Sequence, residues 1–497
     1  MAERTLLAID QGTSGTKAVV FDLRGAVLAK ATADLASSYP RPGFVEQSPD
    51  GIYHSVLEAV RRCLIALREA GGDPGSIAAC GISNQRETFL LWDDRGRPLA
   101  PAVVWQCKRS VAVCERLRAE GFEDEIKART GLLIDPYFSA TKLLWLMENE
   151  PDVRRAVHEG ARFGTVDSWI LYRLTRGFLH ATDFTNASRT LLFNLDDLAW
   201  DRTLIDRWGL SGLRLPEVHP SAHAYADSDL EGLLRRPVPV AAMIGDSHAA
   251  AFGEGCTAPG RAKATLGTGS SILMDVGPRR AKQAGGMVST ICWSTADRVD
   301  RALEGIVVSC GATVQWLRDS LGLFAASRDT EAMARAVGDN GGVHLVPAFS
   351  GLGAPWWKPG AKGALCGLTF ASTRNHVVRA ALESIPFQVA DVIAAMTAGG
   401  SVPLASLAAD GAITENGFVM QLLADTLGRL VVNPGIGEVS ALGAALLAGL
   451  GAGCYRGLDE IEALPRRERR FEPGAGAAAA RDAHAAWRET VRKIAES

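Results

Sequence analysis

The stretch from Leu6 to Asp22 sets an acid, a small-residue turn and a cation within a short span. An apolar run (Leu6, Leu7, Ala8, Ile9) ends in Asp10. Gly12 and Gly15 then flank Thr13 and Ser14, with Thr16 and Lys17 just after, and Ala18 to Phe21 resume the apolar pattern. Two such runs around a glycine-rich turn predict a strand-turn-strand hairpin. Glycine lets a ligand approach the backbone, and hydroxyls beside N–H groups make a concavity suited to an anion, usually phosphate. Lys17 adds a cation, and Asp10 has the chemistry to hold Mg²⁺ beside phosphates. Taken alone, such a hairpin is equally well a turn with no ligand.

A second copy changes that balance. Lys263 to Asp275 again reads strand, turn (Gly267, Thr268, Gly269, Ser270), strand. Just upstream, Ile244-Gly245 leads into Asp246, another apolar run ending in an acid. An acid there is costly unless it binds something, although it also suits an N-cap for the helix that follows. A third glycine turn stands at Asp410-Gly411, and the helix predicted from Gly311 would offer further N–H donors. One phosphate turn near the start and one past the middle suggest two similar domains whose loops face a common cleft.

The elements that would position these groups follow in order. A third strand begins at Ala26. Val56, Val60, Cys63, Leu64 and Leu67 recur at helical spacing, and Gly71-Gly72 ends that helix. Ile77 to Ile82 is wholly apolar, as expected of a strand buried on both faces. Phe89–Trp92 and Val103–Trp105 are short strands, and Val377–Met396 and Gly417–Leu427 are helices. Ser440–Leu450, nearly all Ala, Gly and Leu, is a helix bare enough to pack very close to its neighbours or leave room for a ligand. The boundary is expected near Gly255, giving domains 1–255 and 256–497.

Composition sets limits. The chain has 497 residues, 47% hydrophobic and 22% charged, with net charge −3. That is the profile of a soluble globular protein, too long for one core, and gives no electrostatic reason to expect nucleic acid or an anionic membrane. No apolar run approaches the roughly 20 residues that span a bilayer, and the start lacks a signal-peptide layout. Nine scattered cysteines without C-x-x-C spacing suit a reducing cytoplasm. Walker, dinucleotide, zinc-protease and acyl-serine motifs are absent, which leaves a nucleotide phosphate site built from hairpins.

Longer stretches carry a resemblance. Asn84-Gln-Arg-Glu-Thr88, Trp105-Gln106, Ile134-Asp-Pro-Tyr-Phe-Ser139, Asp183 to Arg189, Gly267-Thr-Gly269, Gln315 to Asp319 and Gly351 to Trp356 resemble the FGGY carbohydrate kinases, most nearly the glycerol kinases among them. Lys142-Leu-Leu-Trp145 and Gly363 to Leu368, with Glu383 after them, look like the two general signatures of that family. The resemblance runs to about Gly453. It implies an α/β fold of two actin/hexokinase-like (ribonuclease H-like) domains with a cleft between them, the first holding the polyol and the second the nucleotide. By it, Arg86, Glu87, Tyr137, Asp246 and Ser247 bind the small polyol, and Asp246 is the catalytic base. Asp10 and Asp246 stand on the Mg²⁺ side. Thr13, Ser14, Lys17, Thr268, Gly311, Gln315, Ala412 and Asn416 contact ATP. A cation and an acid side by side suit a polyol, which offers only hydroxyls. The resemblance also implies a homo-oligomer, a dimer or tetramer.

Three departures from the glycerol kinase pattern stand out. Ser247 and His248 stand where two glutamines usually follow the base, Ser271 replaces an aromatic facing the substrate, and Ala412 replaces a glycine. The expected reaction is phosphorylation of glycerol to glycerol 3-phosphate by Mg-ATP. The alternatives are a longer substrate (erythritol, threitol or a pentulose) and a non-catalytic nucleotide sensor. A nicotinamide dehydrogenase lacks its fingerprint.

Overall fold

The computed structural model describes residues 4–281, 285–398 and 402–496. Two compact units interleave along the chain rather than following as continuous halves. The first gathers Met1–Gly253, Ser289–Arg301 and Glu438–Pro465, and the second Glu254–Val288, Ala302–Gly437 and Arg466–Ser497.

In the first unit, Thr5–Gln11 and Gly15–Asp22 form the expected hairpin, and Val27–Asp34 extends it. Thr5–Gln11 pairs in parallel with Ile77–Asn84, which pairs in parallel with Val238–Gly245. Ala222–Ser228 closes the edge antiparallel. Leu6 to Ile9 and Cys80 to Ile82 are buried, as strands covered on both faces must be. One cover is Pro49–Glu69, where Ser48 Oγ accepts from Gly51 N at 3.1 Å and Pro49 starts the helix. Its buried stripe, Ile52, Val56, Val60, Cys63 and Leu67, has the spacing of one helical face.

The other cover is the bare helix Val439–Gly451, which packs on the central strands and on the helix Asp246–Gly253. A Cβ at Gly443 would sit 1.9 Å from the Ala249 carbonyl oxygen, so the two backbones touch. Of the two uses open to a helix this bare, close packing is the one realised.

The second unit repeats the plan. Its strands run Val299–Val307, Ser270–Gly277, Arg261–Leu266, Ser406–Asp410, Leu430–Asn433 and Arg469–Phe471. Here too the hairpin strand Arg261–Leu266 pairs in parallel with the next strand, that one in parallel with the one after, and the last is antiparallel. The helices Arg374–Thr397 and Gly417–Leu427 lie where their periodicity predicts. The sequence reading stops short of Ala477–Glu496, a helix that buries Trp487 and whose Trp487 Nε1 donates to the Leu345 carbonyl at 2.9 Å.

Candidate active site

Asp10 ends the apolar core of its strand, opposite Lys17 on one neighbour and Ser83 on the other. Ser83 Oγ donates to Asp10 Oδ1 at 2.9 Å. Burial first, and then the nearby Asp246, push the Asp10 carboxyl up to about 6. Asp246 begins its helix at the end of the strand Val238–Gly245. Its Oδ1 accepts from Ser247 N at 2.6 Å and lies 3.2 Å from Arg86 Nε. That bond is to the adjacent residue rather than to the second or third N–H of the helix, so it is not an N-cap, and the same carboxylate faces a guanidinium. Gly245 has to be small for this: a Cβ there would lie 2.7 Å from both Cγ and Cδ of Arg86.

Glu87 takes a left-handed backbone conformation, with φ 62°. A glutamate rarely sits there without cause. The turn sends its carboxylate inward to Arg189 Nε at 2.6 Å, both side chains being 1% exposed. Ser139 Oγ donates to the Glu87 carbonyl at 2.9 Å. Tyr137 is half-buried and meets Trp105 edge-on, with ring centroids 5.5 Å apart, and the Arg189 guanidinium lies 6.0 Å from the Tyr137 ring centroid. Trp105 Nε1 in turn donates to Thr13 Oγ1 at 2.8 Å. Asp246 thus pairs with Arg86, and Glu87, next to Arg86 in sequence, pairs with Arg189, whose guanidinium leads through the Tyr137 and Trp105 rings to Thr13 of the first hairpin. Ser247 is buried next to Asp246, and His248 Nε2 lies 3.3 Å from Thr290 Oγ1.

Around the hairpin, Ser14 is exposed, and the Thr13 carbonyl is held by Gln47 Nε2 at 2.6 Å. Lys17 is engaged elsewhere: its Nζ donates to Glu438 Oε2 at 2.8 Å, a partner that sequence reading did not supply. That glutamate lies 421 residues away at the start of the bare helix, so no local pattern marks it.

In the second unit, Thr268 is exposed at the tip of the hairpin. The start of the helix Gly311–Asp319 packs onto that turn: Cys310 N and Ala312 N donate to the Thr268 carbonyl at 2.9 and 3.1 Å, and Gly311 N to the Gly267 carbonyl at 2.8 Å. This corrects the expectation of free donors at Gly311, because the turn's own carbonyls use those N–H groups. Gln315 is exposed one turn further on. Asp410 pairs in register with Thr265, which brings the third glycine turn next to the hairpin, and Ala412 is exposed beside it. Asn416 caps the helix Gly417–Leu427, accepting from Phe418 N and Val419 N at 3.1 and 3.2 Å. Ser271 Oγ donates to the buried Glu304 Oε1 at 3.2 Å.

Among the described residues, no three His, Cys, Asp or Glu side chains gather as a metal cage, and no helix is long and apolar enough to cross a membrane. Asp10 and Asp246 do fit a hard divalent cation of the Mg²⁺ kind, which is typically held by one or two carboxylates plus phosphates.

The repeated sheet, with a glycine-rich hairpin at the same place in each unit, is the two-domain actin/hexokinase-like α/β fold. The N-terminal domain of the FGGY family of carbohydrate kinases matches residues 5–253 and its C-terminal domain residues 262–452, and this chain belongs to that family. It is 46% identical to a glycerol kinase of Thermus brockianus over 490 residues, covering 98% of both chains. A second relative, glycerol kinase 2 of Thermotoga maritima, is 42% identical with 98% of each chain covered. The crystal structure of Plasmodium falciparum glycerol kinase with ADP superposes with a TM-score of 0.93 at 30% identity, covering 99% of this chain and 98% of that one.

Proposed function

We propose that this kinase transfers the γ-phosphoryl group of ATP to a terminal hydroxyl of glycerol, giving glycerol 3-phosphate. The observation that carries the reading is two ion pairs in the first unit, Asp246 with Arg86 at 3.2 Å and the buried Glu87 with Arg189 at 2.6 Å, with the Tyr137 and Trp105 rings next to the second. The names of the full-length relatives support glycerol as the acceptor.

Asp246 accepts the proton as the glycerol oxygen attacks phosphorus, and Arg86 keeps that carboxylate oriented. Glu87 accepts from a substrate hydroxyl, Ser247 lines the pocket beside the base, and the Tyr137 and Trp105 rings bound the carbon chain. On the nucleotide side, Thr13 and Ser14 of the first hairpin, with Lys17 as a nearby charge, and Thr268, Gln315, Ala412 and Asn416 of the second unit meet ATP, while Gly311 holds the second hairpin's turn through its N–H. Asp10 and Asp246 would hold Mg²⁺, which neutralises charge on the phosphates when bound. A homo-oligomeric state and a cytoplasmic location belong to the same reading.

A second reading concerns the acceptor. Ser271 offers a hydroxyl tied to a buried carboxylate rather than an aromatic wall, which supports a tetritol such as erythritol or threitol as a weaker or rival substrate. The test is ADP release across C3 to C5 polyols and ketoses, with the product identified by ³¹P NMR. Glycerol should give the highest kcat/KM. A wild type that ignores glycerol and turns over a C4 or C5 compound would overturn the glycerol assignment, and one that turns over no polyol would leave the sensor reading.

A further inference from the structure

Lys142 combines two placements that are unfavourable for a cation. It lies in the first turn of the helix Ser139–Asn149, at the positive end of the helix dipole, and its side chain is fully buried. Burial pulls its ammonium down to about 7, against the attraction of Glu87, Cys107 and Asp135, while Lys108 adds repulsion. Such a group persists only where fixed acceptors hold it.

The acceptors are three successive carbonyls. Lys142 Nζ donates to Pro136 O at 2.9 Å, Tyr137 O at 2.6 Å and Phe138 O at 3.1 Å. An ammonium has three N–H groups, so the set is complete. The same turn is pinned from its other side by Tyr137 N donating to Asp135 Oδ1 at 2.8 Å. These carbonyls belong to the segment that aims the Tyr137 ring between Trp105 and Phe138, whose centroids lie 5.5 and 5.4 Å away.

We propose that Lys142 is a positioning residue for substrate binding, whose ammonium fixes the 136–138 turn and thereby holds Tyr137 against the polyol. This rests on the first-unit polyol site proposed above. Lys142 itself touches no substrate; it acts through the backbone that carries Tyr137.

The experiment is a double-mutant cycle read as KM for glycerol, KM for ATP and kcat, using Lys142→Met, Tyr137→Ala and the pair in the full-length enzyme. Lys142→Met should raise the glycerol KM about tenfold and leave the ATP KM within twofold. In the Tyr137→Ala background, where the ring is gone, the same change should add less than twofold, because contacts that depend on one another are not additive. Should Lys142→Met fail to fold, Lys142→Gln, which keeps two donors on a side chain one atom shorter, replaces it, with a three- to fivefold rise expected. An unchanged glycerol KM in a folded variant, equal rises in both KM values, or full additivity with Tyr137→Ala would overturn the proposal. Failure of the underlying reading looks different, since the wild type would then show no glycerol-dependent ADP release at all.

Discussion

Replacing Arg189 with methionine tests whether the Glu87 pair is what holds the polyol site. Both side chains are 1% exposed and Arg189 Nε lies 2.6 Å from Glu87 Oε1, so water cannot take the place of the lost guanidinium. Removing one partner of a buried pair costs about 3–5 kcal/mol, because the remaining charge is left uncompensated. For a unit of this size each kcal/mol moves Tm by roughly 2–4 °C, so the variant should melt at least about 6 °C below the wild type. Differential scanning calorimetry, with glycerol titrated separately by isothermal calorimetry, makes the measurement. A Tm within 2 °C of wild type, with unaltered glycerol affinity, would refute the argument.

Further outcomes are expected elsewhere. Asp246→Asn should lower kcat by roughly 10²-fold or more with ADP affinity nearly unchanged, as steady-state kinetics and nucleotide titration would show. The Asp10 carboxyl, raised to about 6, is increasingly protonated as pH falls through that value, so apparent Mg²⁺ affinity should weaken progressively below pH 6 and level off above it, measured as the Mg²⁺ concentration for half-maximal rate. Gly443→Val would drive a side chain into the Ala249 carbonyl 1.9 Å from its Cβ, and should lower stability by roughly 1–3 kcal/mol or more in thermal melts. Ser271→Phe should raise the preference for glycerol over a tetritol by about tenfold or more in kcat/KM, in line with the roughly 1–3 kcal/mol of one apolar contact.

The parts of the fold that could be read from sequence are those with local signals. Both hairpins announce themselves by apolar runs around Gly/Thr/Ser turns, and the helices Arg374–Thr397 and Gly417–Leu427 by period and caps. The edge strand Ala222–Ser228 alternates only loosely and contains a register shift, so it carries no comparable signal. The helix Ala477–Glu496 has an alanine-rich, mostly exposed face, and its buried contacts come down to Ala480, Trp487 and Val491. The interleaving of the units is a matter of distant packing. The stretch Glu438–Pro465 groups with the first unit because its helix is bare enough to lie against Ala249, and nothing in its own sequence names that partner.

For the site, residue type was legible and hydrogen-bond assignment was not. Asp10 and Asp246 can be picked out because charged groups at strand ends need partners, and Arg86 and Glu87 by the family resemblance. What each partner is depends on the fold. Lys17 reads as a phosphate cation from its place after the turn, yet strand alternation and a helix far along the chain give it to Glu438. The N–H groups at Gly311 read as anion donors, yet the helix packs so closely on the second hairpin that the carbonyls of Gly267 and Thr268 accept from them. Both cases have the same cause: a polar group at a tight turn is claimed first by whatever the fold packs against that turn. What the turns then have left for a nucleotide is the hydroxyls and exposed tips, Ser14 and Thr268 among them. Direct nucleotide contacts should therefore be sought in exposed side chains before the first amides of the helix Gly311–Asp319.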